Sequence, residues 1–328
     1  MSAGRPLAFA VRGLTKRYNL VTAVENVSFT VPSGTMAVLV GPAGAGKTTI
    51  LRILLGLLEP TSGTAAVGGP GSGRRREPER GPASAVGGML DPRGLHPARS
   101  ARDHLLVYAA AAGVEDARVD EVIQAVGLGE SARTRAGALS VGAQTRLALA
   151  TALLGDPTLL ILDEPMAGLD PAERAWLVDF LRRHTRRGGT VLLSSETLAP
   201  VIPMADNIIV VSEGSVVYQG TPARLRRGHP DRLVVVASTP IALATTLAAQ
   251  GFTDAVIRPD GRLAVAEATE AQIRAAAAAA RVRVDSITAD QIHPDRVLAS
   301  LVKPARPPQP APYAGIAPHQ PTPYGIPR

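Results

Sequence analysis

The chain has 328 residues, 45% hydrophobic but only 3% aromatic, and no cysteine, which excludes disulfide staples and zinc–thiolate sites. The net charge is +7, yet the basic clusters (Arg74–Arg76, Arg182–Arg187, Arg224–Arg227) lack the interleaved aromatics on which single-stranded nucleic acids stack. They read as solvated faces or as attraction to an anionic membrane surface, and no nucleic-acid partner is expected.

The opening MSAGRPLAFAVRGL has no long apolar core and does not read as a signal peptide. Met36–Val40, Leu159–Leu162 and Val191–Leu193 are short, unbroken apolar runs, the pattern of strands covered on both faces of a mostly parallel sheet. The spacing predicts helices over Thr48–Leu57 and over Ala172–Arg187, which opens behind Asp170-Pro171 and stops at Gly188-Gly189, and the segment from about Leu95 to Gly137 is expected to be helical. Val67–Ser84 reads as a polar loop. Leu147–Leu162, the longest apolar stretch, is broken by Gly155, Asp156 and Pro157, so no segment is expected to span a bilayer.

From Asp231 the rhythm changes. Strand Leu233–Ala237, helix Ile241–Gln250, strands Ala255–Arg258 and Leu263–Ala266, helix Glu270–Ala280 and strand Val282–Ile287 give a β-α-β-β-α-β order, followed by a helix near Asp295–Val302. That order is the split-βαβ, ferredoxin-like pattern. Residues 304–328 hold nine prolines and read as an extended or disordered tail.

Gly41-Pro42-Ala43-Gly44-Ala45-Gly46-Lys47-Thr48-Thr49 follows a predicted strand and opens a helix, fitting G-x-x-x-x-G-K-[ST]. Glycines let successive N–H groups converge on phosphate oxygens, and the helix start adds unpaired donors and a favourable dipole. Lys47 is expected to reach the β- and γ-phosphates, and the Thr48 hydroxyl to ligate Mg²⁺. Only three lysines occur, so Lys47 stands out in a chain that otherwise uses Arg for positive charge. In Leu159–Leu162 followed by Asp163-Glu164-Pro165, Asp163 is placed to hold Mg²⁺ through water and Glu164 to accept a proton from the attacking water. These residues predict a site for a nucleoside triphosphate.

Over residues 7 to about 228 the chain resembles the ATP-binding subunits of ABC transporters. Leu139-Ser140-Val141-Gly142-Ala143, with Ser140 placed 23 residues before Asp163, resembles the LSGGQ signature. Asp170 in Ala167-Gly168-Leu169-Asp170 is similar to the D-loop aspartate, and Tyr18 to the aromatic that stacks on adenine. The resemblance implies an α/β P-loop NTPase of ABC ATPase type over residues 1–228. It would have a mostly parallel sheet, antiparallel N-terminal strands and a helical subdomain. A small ferredoxin-like α+β domain (229–303) and the Pro-rich tail (304–328) would follow. It further implies ATP and Mg²⁺ as ligands, and a head-to-tail dimer with Ser140 and Gly142 facing the partner's γ-phosphate. The second ATP-binding subunit could be a copy or a relative. A separate transmembrane permease, the cytoplasmic membrane face and a drug- or antibiotic-type exporter are also implied.

Three positions depart from that pattern. Asp91 stands where the Q-loop glutamine belongs and could approach Mg²⁺ through an oxygen. The signature has Val141 for its first Gly and Ala143 for Gln. Glu196, in Val191-Leu192-Leu193-Ser194-Ser195-Glu196, replaces the switch histidine. An ionised glutamate about 4 Å from a phosphate oxygen is repelled by roughly 4 kcal/mol at an effective dielectric of 20. Glu196 must turn away, stay protonated or accept slow chemistry. An alternative reading follows, an ATP-binding regulatory subunit with little hydrolysis. Pro200 and Pro203 are expected to prevent a regular helix after it.

Overall fold

The computed structural model describes residues 6–68, 86–91, 93–228, 231–290 and 293–302. Alternating burial shapes the first strands, β1 (Leu7–Tyr18) and β2 (Val21–Pro32), a long antiparallel hairpin. The unbroken run β3 (Met36–Val40) is buried at every residue, and α1 (Lys47–Leu54) follows it. Then β4 (Ser62–Val67) pairs with β1 to complete a three-stranded antiparallel sheet, β2-β1-β4. Val67 thus ends a strand rather than opening a loop. The rest of the expected loop, up to Ser84, lies outside the described residues apart from Gly68.

The predicted helical stretch from Leu95 resolves into α2 (Ala101–Ala112), α3 (Asp116–Ala125) and a 3₁₀ turn at Ala136–Ala138. Ser100 caps α2 and Gly113 ends it in a left-handed turn. Strand β5 (Val86–Met89) precedes them, and α4 (Val141–Leu153) leads into β6 (Leu159–Leu162). Helix α5 spans Pro171–Arg186, with Pro171 in its first turn and Asp170 as its cap. Then come β7 (Thr190–Ser195), β8 (Asn207–Ser212), β9 (Ser215–Gly220) and α6 (Pro222–Gly228). These strands form a six-stranded sheet, β5-β6-β7-β3-β8-β9, parallel except for β9.

Side chains alternate across this sheet. Val38, Leu160, Leu162, Val191 and Leu193 enter a core with α2 to α5, whereas Leu39, Ile161, Leu192 and Ile209 enter a core with α1 and the three-stranded sheet. Burial on both faces is why these strands read as continuous apolar runs. β5 needs its glycines for contact. A Cβ on Gly87 would lie 2.2 Å from the Ala152 carbonyl oxygen in α4, and one on Gly88 2.7 Å from Cδ2 of Leu55.

Residues 232–290 form a second, antiparallel sheet. Its strands are β10 (Arg232–Ala237), β11 (Ala255–Ile257), β12 (Leu263–Ala266) and β13 (Val284–Asp290), in the order β11-β12-β10-β13. The helices α7 (Pro240–Ala249) and α8 (Glu270–Ala279) share a separate core with it, including Val235, Leu247, Val265 and Ile273. This is the split-βαβ order expected from the sequence. Several boundaries differ by one residue, Arg258 lying beyond β11 among them. The larger change is β13, which runs from Val284 to Asp290 rather than Val282 to Ile287, because Arg281 takes a left-handed turn and Val282 is buried against α8. The last helix, α9 (Pro294–Leu301), returns to the first unit, burying Val297 and Leu298 in its helical-side core. Among the described residues, no helix is long and apolar enough to cross a membrane.

Candidate functional site

The carboxyl ends of β3, β7 and β6 lie side by side, and each carries part of one polar cluster. Residues 41–46 leave β3 as a loop held by neighbours. The Gly41 N–H donates to the Ser195 carbonyl at 3.1 Å, and the Ala45 N–H to that of Pro42 at 3.1 Å. Gly46, at φ +98°, turns the chain into α1, and a Cβ there would meet the Ala23 carbonyl oxygen at 2.5 Å. Lys47 is 5% exposed; its Nζ donates to the Gly41 carbonyl at 2.7 Å and the Pro42 carbonyl at 3.1 Å. The same ammonium lies 3.4 Å from Glu164 Oε1.

Asp163 is 2% exposed and both its oxygens accept hydroxyl hydrogens, from Thr48 at 2.7 Å and Ser194 at 2.6 Å. Ser194 Oγ also accepts from the Glu164 N–H at 2.8 Å. Glu164 takes a left-handed backbone conformation, φ +45°, unusual for a residue with a side chain. That turn aims its carboxylate back at Lys47. Burial pushes the Glu164 carboxyl above the usual glutamate range; Lys47 opposes this, and the Glu196 charge adds to it. The Glu196 N–H donates to Glu164 Oε2 at 3.2 Å, while its side chain is exposed. Residues 196–206 after it form turns and bends, with no regular helix.

The remaining predicted residues are more dispersed. Asp91 lies exposed two residues beyond Met89, and Met89 pairs with Leu162, so Asp91 leaves the sheet at the level of Glu164. Ser140 caps α4, its Oγ accepting from the Ala143 N–H at 3.2 Å, and Gly142 is buried in the first turn. The Glu173 carboxylate occupies the space over Gly142, where a Cβ would lie 1.5 Å from Oε1. Asp170 caps α5 by accepting from the Glu173 N–H at 2.8 Å. Tyr18, at the hairpin tip, is 43% exposed, with Lys16 Nζ 5.3 Å from its ring centre.

A family model described as ABC transporter matches residues 24–167, a span that contains the phosphate loop, the α4 cap and the Asp163-Glu164 pair. A lantibiotic transport ATP-binding protein of Streptococcus pyogenes is 34% identical over 209 residues, covering 64% of this chain and 89% of that protein. The chain belongs to the ABC transporter family. It carries that family's ATP-binding domain. A Nod factor export ATP-binding protein of Burkholderia lata is 36% identical over 219 residues, 65% of this chain and 71% of that one. A solved ATP-binding subunit of an ABC transporter matches with 27% identity and a TM-score of 0.58, over 67% of this chain and 92% of its own. A second ABC transporter component, from Clostridium perfringens, matches with 25% identity and a TM-score of 0.59, over 68% and 92%.

For an ABC ATP-binding chain, three contributors beside the predicted set are notable: Ser194, Glu173 and Ser195. Ser194 joins the Asp163 side chain to the Glu164 backbone. Its signal was present, since two serines close the apolar run Val191–Leu193. Glu173 carried no comparable signal, because only the tertiary fold sets it over Gly142.

Proposed function

We propose that this chain is the ATP-hydrolysing subunit of an export system, in which two such subunits close head to tail over ATP and a separate membrane protein carries the substrate. One observation carries the reading. Lys47, Thr48, Asp163 and Glu164 converge at adjacent strand ends in a chain whose relatives are named for transport and export. The division into an ATP-binding unit (1–228), an accessory unit (229–303) and a tail (304–328) belongs to this proposal. So does a position at the cytoplasmic face of the membrane.

The donor set fits Mg²⁺. The buried Asp163 carboxylate is held by two hydroxyls, hard oxygen donors that can exchange for a cation and its water. Thr48 and Asp163 would hold the ion, with Asp91 beside them, and the ion would neutralise charge on the phosphates. The amides of residues 41–49 cradle the phosphates, and Lys47 trades its loop carbonyls for phosphate oxygens. Tyr18 offers an exposed ring to the adenine. Ser140 and Gly142 present a helix start to the γ-phosphate of the facing subunit, and Asp170 sits beside them at the junction. Glu164 takes a proton from the attacking water, helped by a carboxyl that burial has made more basic.

The second reading, a nucleotide-gated subunit with little turnover, rests on Glu196. It sets a carboxylate where a hydrogen-bond donor to γ-phosphate is needed. Turnover decides between them. Purified chain should bind Mg-ATP by calorimetry and hydrolyse it slowly, Lys47→Ala should not bind, and Glu196→His should raise kcat by about tenfold or more, about 1.4 kcal/mol of barrier. A fast parent that Glu196→His leaves unchanged would refute the role given to Glu196. An absence of Mg-ATP binding would refute both readings.

A further inference from the structure

The turn that follows Glu196 is held from outside the ATP-binding unit. Four consecutive amides there have side-chain acceptors. The Glu196 N–H donates to Glu164 Oε2, and the Thr197 N–H to Ser195 Oγ at 3.3 Å. The next two, Leu198 and Ala199, both donate to one oxygen of Asp295, at 2.6 and 3.2 Å. Pro200 and Pro203 have no N–H and break the helix that could otherwise satisfy this segment, so an external acceptor is needed.

Asp295 sits in the first turn of α9, nearly 100 residues away in sequence. The helix is anchored at both ends of the contact. Val297 and Leu298 are buried in the same apolar core as Leu198, Val201, Ile202 and Met204. On the other side Arg296 lies 3.9 Å from Asp290 of β13, which also pairs with Arg258 just after β11. An unbroken set of contacts therefore runs from the accessory sheet through α9 to the turn, and on through the Glu196 amide to Glu164.

We propose that Asp295 is a positioning residue for ATP hydrolysis, holding the turn after Glu196 so that the Glu196 amide keeps the Glu164 carboxylate aimed at the attacking water. The role rests on Glu164 acting as the base. It makes the accessory unit part of the hydrolytic device: movement of the second sheet reaches the site through one carboxylate.

The test uses the full chain with Asp295→Ala and Asp295→Asn. Asp295→Ala should lower kcat about tenfold with KM for ATP within about twofold, as expected when a reacting group is misaimed rather than lost. Hydrogen exchange should accelerate at the Leu198 and Ala199 amides while β3 and β6 stay protected. Asp295→Asn keeps a carbonyl acceptor and should restore kcat to within about threefold of the parent. Turnover unchanged in Asp295→Ala despite faster exchange at those amides would overturn the role, as would equal damage from Asn and Ala. A parent that binds Mg-ATP but shows no turnover would instead sink the hydrolytic reading and this role with it.

Discussion

Lys47 and Glu164 are each other's nearest opposite charge, and each spends that contact on waiting. The ammonium is bound by carbonyls of its own loop, so the phosphates that displace them gain a donor already desolvated and in place. Glu164 is held in a strained left-handed turn by Ser194 and by the Glu196 amide. Such a backbone costs about 1–3 kcal/mol and persists only where surroundings fix it. Because burial raises the Glu164 carboxyl and the Glu196 charge raises it further, ionisation of this proposed base should set the acid limb of the rate profile above the ordinary glutamate range. Glu196→Gln removes a like charge, so the limb should move to lower pH. Steady-state rates from pH 5 to 9 would show it; a limb that stays still means that the two carboxylates do not feel each other.

At the scale of elements, the parallel strands carry the chemistry at one end, and helix starts bring the rest. Helix α5 begins at Asp170, whose side chain caps it, so one residue serves both the helix and the candidate dimer junction. Asp170→Ala should cost about 1 kcal/mol in denaturant titrations, and Asp170→Asn much less. A neutral result for Ala would show that the cap is dispensable. The elements that could be read from the sequence share a cause. β3, β6 and the Val191–Leu193 run of β7 are buried on both faces, so every residue there is apolar, and the phosphate loop has a fixed spacing. β5 was hidden by Gly87 and Gly88, which it needs for contact rather than for strand propensity, and β4 by its half-exposed small residues. Of the site, Lys47, Thr48, Asp163 and Glu164 announced themselves by pattern. Ser194 sits in a pattern only faintly polar, and Asp295 none at all: its partners are backbone amides far along the chain, which no local period encodes.

For the whole molecule, a single copy leaves the ATP site open. Asp163 and Lys47 lie at the carboxyl end of the central strands, while the α4 start offers its donors outward, partly covered by Glu173. In the proposed closed pair, Glu173 would have to give way to the γ-phosphate, and slow chemistry at Glu196 would prolong the closed state. Saturating Mg-ATP should therefore double the sedimenting mass of the parent chain and leave Lys47→Ala monomeric. A parent that stays monomeric under those conditions would count against a homodimer.

The glycine pair in β5 has a bearing on how two such sites would communicate. With no side chain at Gly87, that strand lies directly on the backbone of α4, too close for either to shift alone. In the proposed head-to-tail pair, the start of α4 would meet the nucleotide held by the neighbour, whereas Asp91 just past β5 would lie toward the nucleotide held at home. In that proposed arrangement strand and helix would move as one lever with an end in each pocket, so that the loss of a phosphate on one side would be felt at the Asp91 end of the other, which would set the two pockets firing in turn.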